Sequence, residues 1–161
     1  MLIIELHKKR EQVILKCIRE DGSNTWAKLH QGTVYHDIAH IAIEEKLGLS
    51  NAFYGMLASG VAISDYELPD DQKPEILKGK NMPKEALITE HLVNLLTIAN
   101  FNTADFNFIT EVKVILEKNG LVFPSNLTQA KLQEITDYYQ ELITNWSRIP
   151  IGSYLEKHIN L

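Results

Sequence analysis

Two histidines four positions apart are the residues of this chain whose types and spacing are best suited to chemistry. His36 and His40 begin and end the segment His-Asp-Ile-Ala-His. In an α-helix this spacing places both imidazoles on one face, one turn apart, where they can hold one divalent ion. Asp37 and Glu44 continue the same polar stripe. Glu44 is a candidate ligand, and either carboxylate is a candidate for orienting a ligand or acting as a general base.

A third ligand from another helix would complete such a site, and His91 is the candidate. On its own predicted helix His91 lies close to the apolar side, whereas its neighbour Glu90 points further toward solvent. His91 is therefore expected to face the interior and to approach the two histidines if the helices pack together. Glu44 competes for the same role. Imidazoles with a carboxylate suit one divalent metal, Zn, Fe, Mn or Ni, and three protein ligands leave a position open for water or substrate.

The same polar stripe also has a noncatalytic interpretation, which the sequence favours. Short motif matches have a high false-positive rate, so the stripe is first interpreted as a solvated helix face or a hydrogen-bonded cluster. We therefore expect a structural or interaction protein in which a His/Asp/Glu stripe joins the first helix to its neighbours. The alternative is a divalent-metal-binding protein, with metal-dependent hydrolysis by His36 and His40 as one activity. Whether the chain is an enzyme is left open.

The residues around this stripe carry two resemblances. The segment His-Asp-Ile-Ala-His is similar over five residues to His-Glu-x-x-His of the zincin metalloproteases, with Asp37 where that family has its glutamate base. The shorter carboxylate reaches a metal-bound water less well, so peptidase activity is not inferred. The first sixty residues resemble a group of uncharacterised bacterial proteins. The resemblance is carried by the same segment together with Glu44, the run Phe53 to Gly55 and the N-terminal strands. That resemblance implies the layout of a strand meander followed by the helix, and it brings no known activity.

The elements that must position these residues follow from the spacing of apolar residues. Alternation with a period of two predicts three N-terminal strands joined as a meander, at 2–7, 12–19 and 25–29. From Thr33 onward the spacing lengthens, which predicts helices at 34–47, 51–59, 83–100, 103–118 and 128–147. Residues 153–161 are predicted as a fourth strand, with a short helix as the alternative. The fold class is therefore α+β: a small antiparallel sheet packed against about five α-helices.

Composition and charge limit the classes of protein and of partner. The chain has 161 residues, 45% of them hydrophobic, which is typical of a single domain spanning 1–161. Sixteen Lys+Arg against 21 Asp+Glu give a net charge of −5, so nucleic acid is not an expected partner. The sequence contains no apolar stretch long enough for a membrane span and only one cysteine, Cys17, which favours a cytoplasmic protein. A protein partner or a second copy of the chain is compatible with this composition, and a small-molecule substrate is unassigned.

Overall fold

The fold is an antiparallel sheet with helices packed on one face. The structure is a computed structural model that describes residues 1–99 and 107–161. The strands are β1 Leu2–Lys8, β2 Val13–Arg19, β3 Asn24–Leu29 and β4 Tyr154–Ile159. The helices are α1 Val34–Leu47, α2 Phe53–Ala58, α3 Lys84–Ile98, α4 Phe108–Lys118 and α5 Gln129–Arg148. The predicted α+β class is confirmed. The first residues of the predicted helix 103–118 lie outside the described residues.

The sheet has the strand order β3-β2-β1-β4, so the first strand is central and the last strand is at an edge. Leu6 of β1 pairs with Leu15 of β2 on one side and with Leu155 of β4 on the other. The prediction of a C-terminal strand is therefore confirmed. Leu2, Ile4 and Leu6 point to the helical face and are each 1% exposed. Each such burial contributes about 1.5–3 kcal/mol, which is why the period of two is so regular here.

Helix α1 is the central helix of the fold. It packs against α2, α3 and α5, and ten of its fourteen residues are buried. It ends at Gly48, which adopts the left-handed conformation (φ 67°), and the Gly48 N–H donates to the Glu44 carbonyl. Because most of α1 is enclosed, each of its buried polar side chains must find a partner within the protein.

One cluster of buried side chains extends from the sheet across all five α-helices. Between α2 and α3 the chain forms three short 3₁₀ turns, Ile63–Glu67, Glu75–Leu77 and Gly79–Asn81, in a stretch without regular periodicity. The first of these turns packs beside β3, where the Ile63 N–H donates to the Thr25 hydroxyl at 2.9 Å. In the part of the chain that the structure describes, no helix combines the length and apolar composition needed to span a membrane.

Candidate functional site

The packing of α3 on α1 brings two histidines and a glutamate together. We call His36, His40 and Glu90 the His/Glu cluster. The His40 Nε2 atom lies 3.2 Å from Glu90 Oε1, and His36 Nε2 lies 3.8 Å from Glu90 Oε2. The two imidazole centroids are 4.9 Å apart. One potential ligand atom from each residue lies within 4.8 Å of the other two, a grouping that could hold a metal ion after small side-chain movements.

Glu44 supports this cluster by binding the ring nitrogen of His40 that faces away from Glu90. Its Oε1 atom accepts a hydrogen bond from His40 Nδ1 at 2.9 Å. Its Oε2 atom accepts from two backbone N–H groups in the first turn of α2, Tyr54 at 2.8 Å and Gly55 at 3.3 Å. The Glu44 carboxylate therefore fixes the orientation of the His40 ring and directs its Nε2 atom toward Glu90.

The close approach of α2 to the turn that precedes it depends on a glycine. A Cβ atom added to Gly55 would lie 2.1 Å from the backbone oxygen of Ser50, so only glycine fits there. This contact holds the first turn of α2 where its N–H groups reach Glu44. The sequence places small residues in this segment because two backbones meet there.

The charges in the cluster set the proton affinity of each group. Burial alone would lower the pKa of His40, but the hydrogen bonds that it donates to Glu44 and Glu90 outweigh burial and raise that pKa to about 9. Burial and the neighbouring His40 lower the pKa of His36, while Glu90 and Asn94 partly oppose this. The hydrogen bond to His40 lowers the pKa of Glu90. In the absence of an ion, His40 therefore carries the proton that joins the two carboxylates.

A cavity of about 240 Å³ gives the cluster access to solvent. His36, His40 and Glu90 line it together with Asp37. The side chains of His36 and Glu90 are 39% and 51% exposed, whereas His40 is 3% exposed. The cluster therefore has one fixed member inside and two adjustable members at the opening.

The other candidate residues from the sequence, Asp37, Glu44 and His91, differ in burial and in distance from this cluster. Asp37 is 8% exposed, and burial raises its pKa to about 7. Glu44 is fully buried, so neither carboxylate belongs to a solvated helix face. His91 is half-buried, and it is not one of the three residues whose ligand atoms converge.

Glu90 is the residue of this cluster that sequence reasoning missed. It was assigned toward solvent because it lies off the apolar side of α3. Its side chain is indeed 51% exposed, but it is long enough to reach His36 and His40 across the contact between α3 and α1. One feature of the sequence does point to Glu90. It is an acid directly before His91, on a helix expected to pack near His36 and His40.

Comparisons with protein-family models, with curated proteins and with solved structures found no match to this chain. The resemblances to the zincins and to uncharacterised bacterial proteins therefore stay predictions.

Proposed function

We propose that this protein binds a divalent metal ion through His36, His40 and Glu90. The observation that carries the proposal is the buried Glu44 carboxylate, which holds His40 Nδ1 at 2.9 Å and leaves Nε2 facing a second imidazole and a carboxylate. Histidines that bind metals almost always donate their other ring N–H to such a partner. This support distinguishes the cluster from two histidines that merely share a helix face.

The spacing of the cluster is close to what an ion requires. Because Zn–N bonds are about 2.0–2.1 Å long, two atoms on one ion lie at most about 4 Å apart. The separations from Glu90 Oε1 to His40 and from Glu90 Oε2 to His36, 3.2 and 3.8 Å, are within that limit, whereas the three ligand atoms taken together lie up to 4.8 Å apart. Small side-chain rotations of the partly exposed His36 and Glu90 would complete the closure around the fixed His40. Two nitrogens and one carboxylate suit Zn, Fe, Mn or Ni.

Hydrolysis is the activity that such an ion would favour. Three protein ligands leave a coordination position for water, and a bound metal makes that water a better nucleophile. Asp37 lines the same cavity outside the cluster, where it stays the candidate general base. The cavity admits a small molecule to this position.

A structural role for the cluster is the second candidate function. In the absence of an ion His40 already has partners on both ring nitrogens, Glu44 and Glu90, and Glu44 in turn accepts from α2. The cluster and Glu44 therefore also link α1 to α2 and α3 by hydrogen bonds alone. In this case the protein would act through an interaction surface elsewhere, and the cluster would contribute only stability.

Elemental composition separates the two candidates. Untagged protein is purified without chelator and its metal content is measured by plasma mass spectrometry, for the wild type, His36→Ala and His158→Ala. Metal binding predicts near-stoichiometric Zn, Fe, Mn or Ni in the wild type and in His158→Ala, a control at an exposed histidine of β4, and its loss in His36→Ala. A wild-type protein that stays metal-free after incubation with these ions would contradict the proposal and favour the structural role.

A further inference from the structure

A second cavity, largely apolar, adjoins the one that contains the His/Glu cluster. It has a volume of about 150 Å³. Phe53, Tyr66 and Glu90 line both cavities, so the two share a wall. The other lining residues of the second cavity are Met56, Met82, Ala86 and Leu87. A molecule anchored at the cluster can therefore extend past Glu90 between α2 and α3, where methionine side chains adapt easily to an apolar ligand.

The hydroxyl of Tyr66 is a buried donor without a partner. It is the buried side-chain polar atom that makes no hydrogen bond within residues 1–99 and 107–161. Such groups are rare, since leaving a buried donor unpaired is costly, and an absent ligand is one of their explanations. Burial, and then the charges of Glu44 and Glu90, raise the pKa of Tyr66, so the hydroxyl stays a neutral donor and lies within electrostatic range of the cluster.

We propose that the two cavities together bind a short-chain acyl compound. Its carbonyl or carboxyl oxygen would coordinate the ion and accept a hydrogen bond from Tyr66, and its aliphatic tail would occupy the cavity beside Met56 and Met82. This inference rests on the proposed function, because the head group is held by the metal. An oxygen head group suits the ion and also supplies the acceptor that the Tyr66 hydroxyl lacks.

The size of the apolar cavity limits the tail. A cavity of about 150 Å³ corresponds to about five times the ~30 Å³ that one water occupies in the liquid, and a methylene group is similar in size. The tail therefore has about five carbons beyond the head group. Longer or branched tails would meet the buried Ala86, which is 7% exposed.

A pair of hydroxamic acids tests this inference, since hydroxamates bind divalent metals through oxygen. The protein is first titrated with Zn²⁺ alone by isothermal titration calorimetry, and the zinc-loaded protein is then titrated with acetohydroxamic acid and with hexanohydroxamic acid. Because each buried methylene contributes about a fourfold gain in affinity, we expect the longer acid to bind at least about tenfold more tightly. Equal affinities would overturn the inference and leave the metal site intact. Absence of Zn²⁺ binding would overturn both.

Variants of the cavity test whether the apolar cavity causes the tighter binding of the longer acid. Ala86→Leu and Leu87→Trp each fill it from α3, and we expect the preference for the longer acid to fall at least about threefold while Zn²⁺ affinity is unchanged. Val114→Trp, at an exposed position of α4, is the matched control and should retain the preference. Tyr66→Phe should weaken both acids to the same extent without changing Zn²⁺ affinity. A preference that persists in both filled variants would overturn the assignment of the tail.

Discussion

At the scale of single residues, Glu44 determines what the cluster can do. It is fully buried, yet its two carboxylate oxygens accept three hydrogen bonds, one from His40 and two from the backbone of α2. A carboxylate in this position is costly to bury unless every donor is in place. The same carboxylate therefore stabilises the contact between α1 and α2 and orients the histidine that we propose as the fixed metal ligand.

Replacing Glu44 by glutamine tests this double role. The amide cannot accept from His40 and from both backbone N–H groups, because its NH₂ group must face one of these donors. We expect Glu44→Gln to lower Zn²⁺ affinity by about 10–100-fold. We also expect the free energy of unfolding of the metal-free protein to fall by about 1–3 kcal/mol in urea titrations.

Glu45→Gln is the matched control for this change. The Glu45 carboxylate accepts from the Tyr138 hydroxyl at 2.7 Å, on the side of α1 that faces α5, and an amide oxygen can accept the same bond. Its Zn²⁺ affinity should equal that of the wild type. Equal Zn²⁺ affinities of Glu44→Gln and Glu45→Gln would contradict the orienting role of Glu44.

The stability of the metal-free protein should depend on pH through the same residues. The pKa of His40 is about 9 in the folded chain, above its ordinary value, so its protonated form stabilises the fold below about pH 6.5 and this contribution is lost as the pH rises through 9. The pKa of Asp37 is raised to about 7, so its ionisation reduces stability as the pH rises from about 4 through 7. Both effects have the same sign. The lowered pKa of His36 acts in the opposite direction, but most of its effect lies below about pH 6.5.

Urea unfolding at pH 6 and pH 8.5, with chelator present, measures this dependence. We expect a lower free energy of unfolding at pH 8.5. The range stops there because Cys17, whose pKa burial raises to about 12, adds an effect of the same sign at higher pH. His40→Asn should show a smaller difference between the two pH values. A wild-type stability that is constant across this range, or a full difference in His40→Asn, would contradict the account.

At the scale of elements, the site depends on how closely α2 approaches the turn before it. The N–H groups of Tyr54 and Gly55 reach Glu44 only because Gly55 has no side chain, so that the Ser50 backbone can lie against it. A six-residue helix has little stability of its own. Its position is therefore set by this contact and by the carboxylate that it surrounds.

Gly55→Ala tests the contribution of this contact. The added methyl would overlap the Ser50 carbonyl, so α2 must shift, and overpacking of this kind costs about 1–3 kcal/mol of stability. We expect the Zn²⁺ affinity to fall as well, because the shift weakens the hydrogen bonds that hold Glu44. Gly32→Ala, where an added Cβ has no neighbour within 4 Å in the described structure, is the control and should change neither quantity. Wild-type stability of Gly55→Ala would contradict this description of α2.

At the scale of the whole molecule, the last strand closes the sheet against the first. Ile159 of β4 is 1% exposed and pairs with Leu2, whereas Ile151, eight residues earlier, is 67% exposed. Residues from both ends of the chain therefore contribute to the same core. The fold should unfold as one cooperative unit, as expected of a single domain.

Ile159→Ala and Ile151→Ala form a matched pair that tests this. Truncating the buried isoleucine should lower the free energy of unfolding by about 2–5 kcal/mol, and truncating the exposed one should have almost no effect. Far-ultraviolet circular dichroism and tryptophan fluorescence should give the same transition in each variant. Separate transitions for the two probes would indicate more than one folding unit.

The sequence predicts the fold better than the site, for physical reasons. Strand β1 has one buried face, so its alternation is visible, and α1 begins and ends at the predicted residues because Gly48 provides a left-handed stop. Glu90 was not predicted because a helical wheel describes one helix and cannot identify the face that a neighbour presents. Tyr66 was not predicted because it lies in the irregular stretch after α2, where no periodicity indicates which side chains point inward.

Anomalous X-ray diffraction from crystals grown with Zn²⁺, measured at the zinc edge, is the most direct test of the proposed metal site. We expect a peak about 2.0–2.2 Å from His36 Nε2, His40 Nε2 and a carboxylate oxygen of Glu90, with the Glu44 carboxylate still hydrogen-bonded to His40 Nδ1. An empty cluster, or zinc found only at surface groups such as His158 and Glu156, would contradict it.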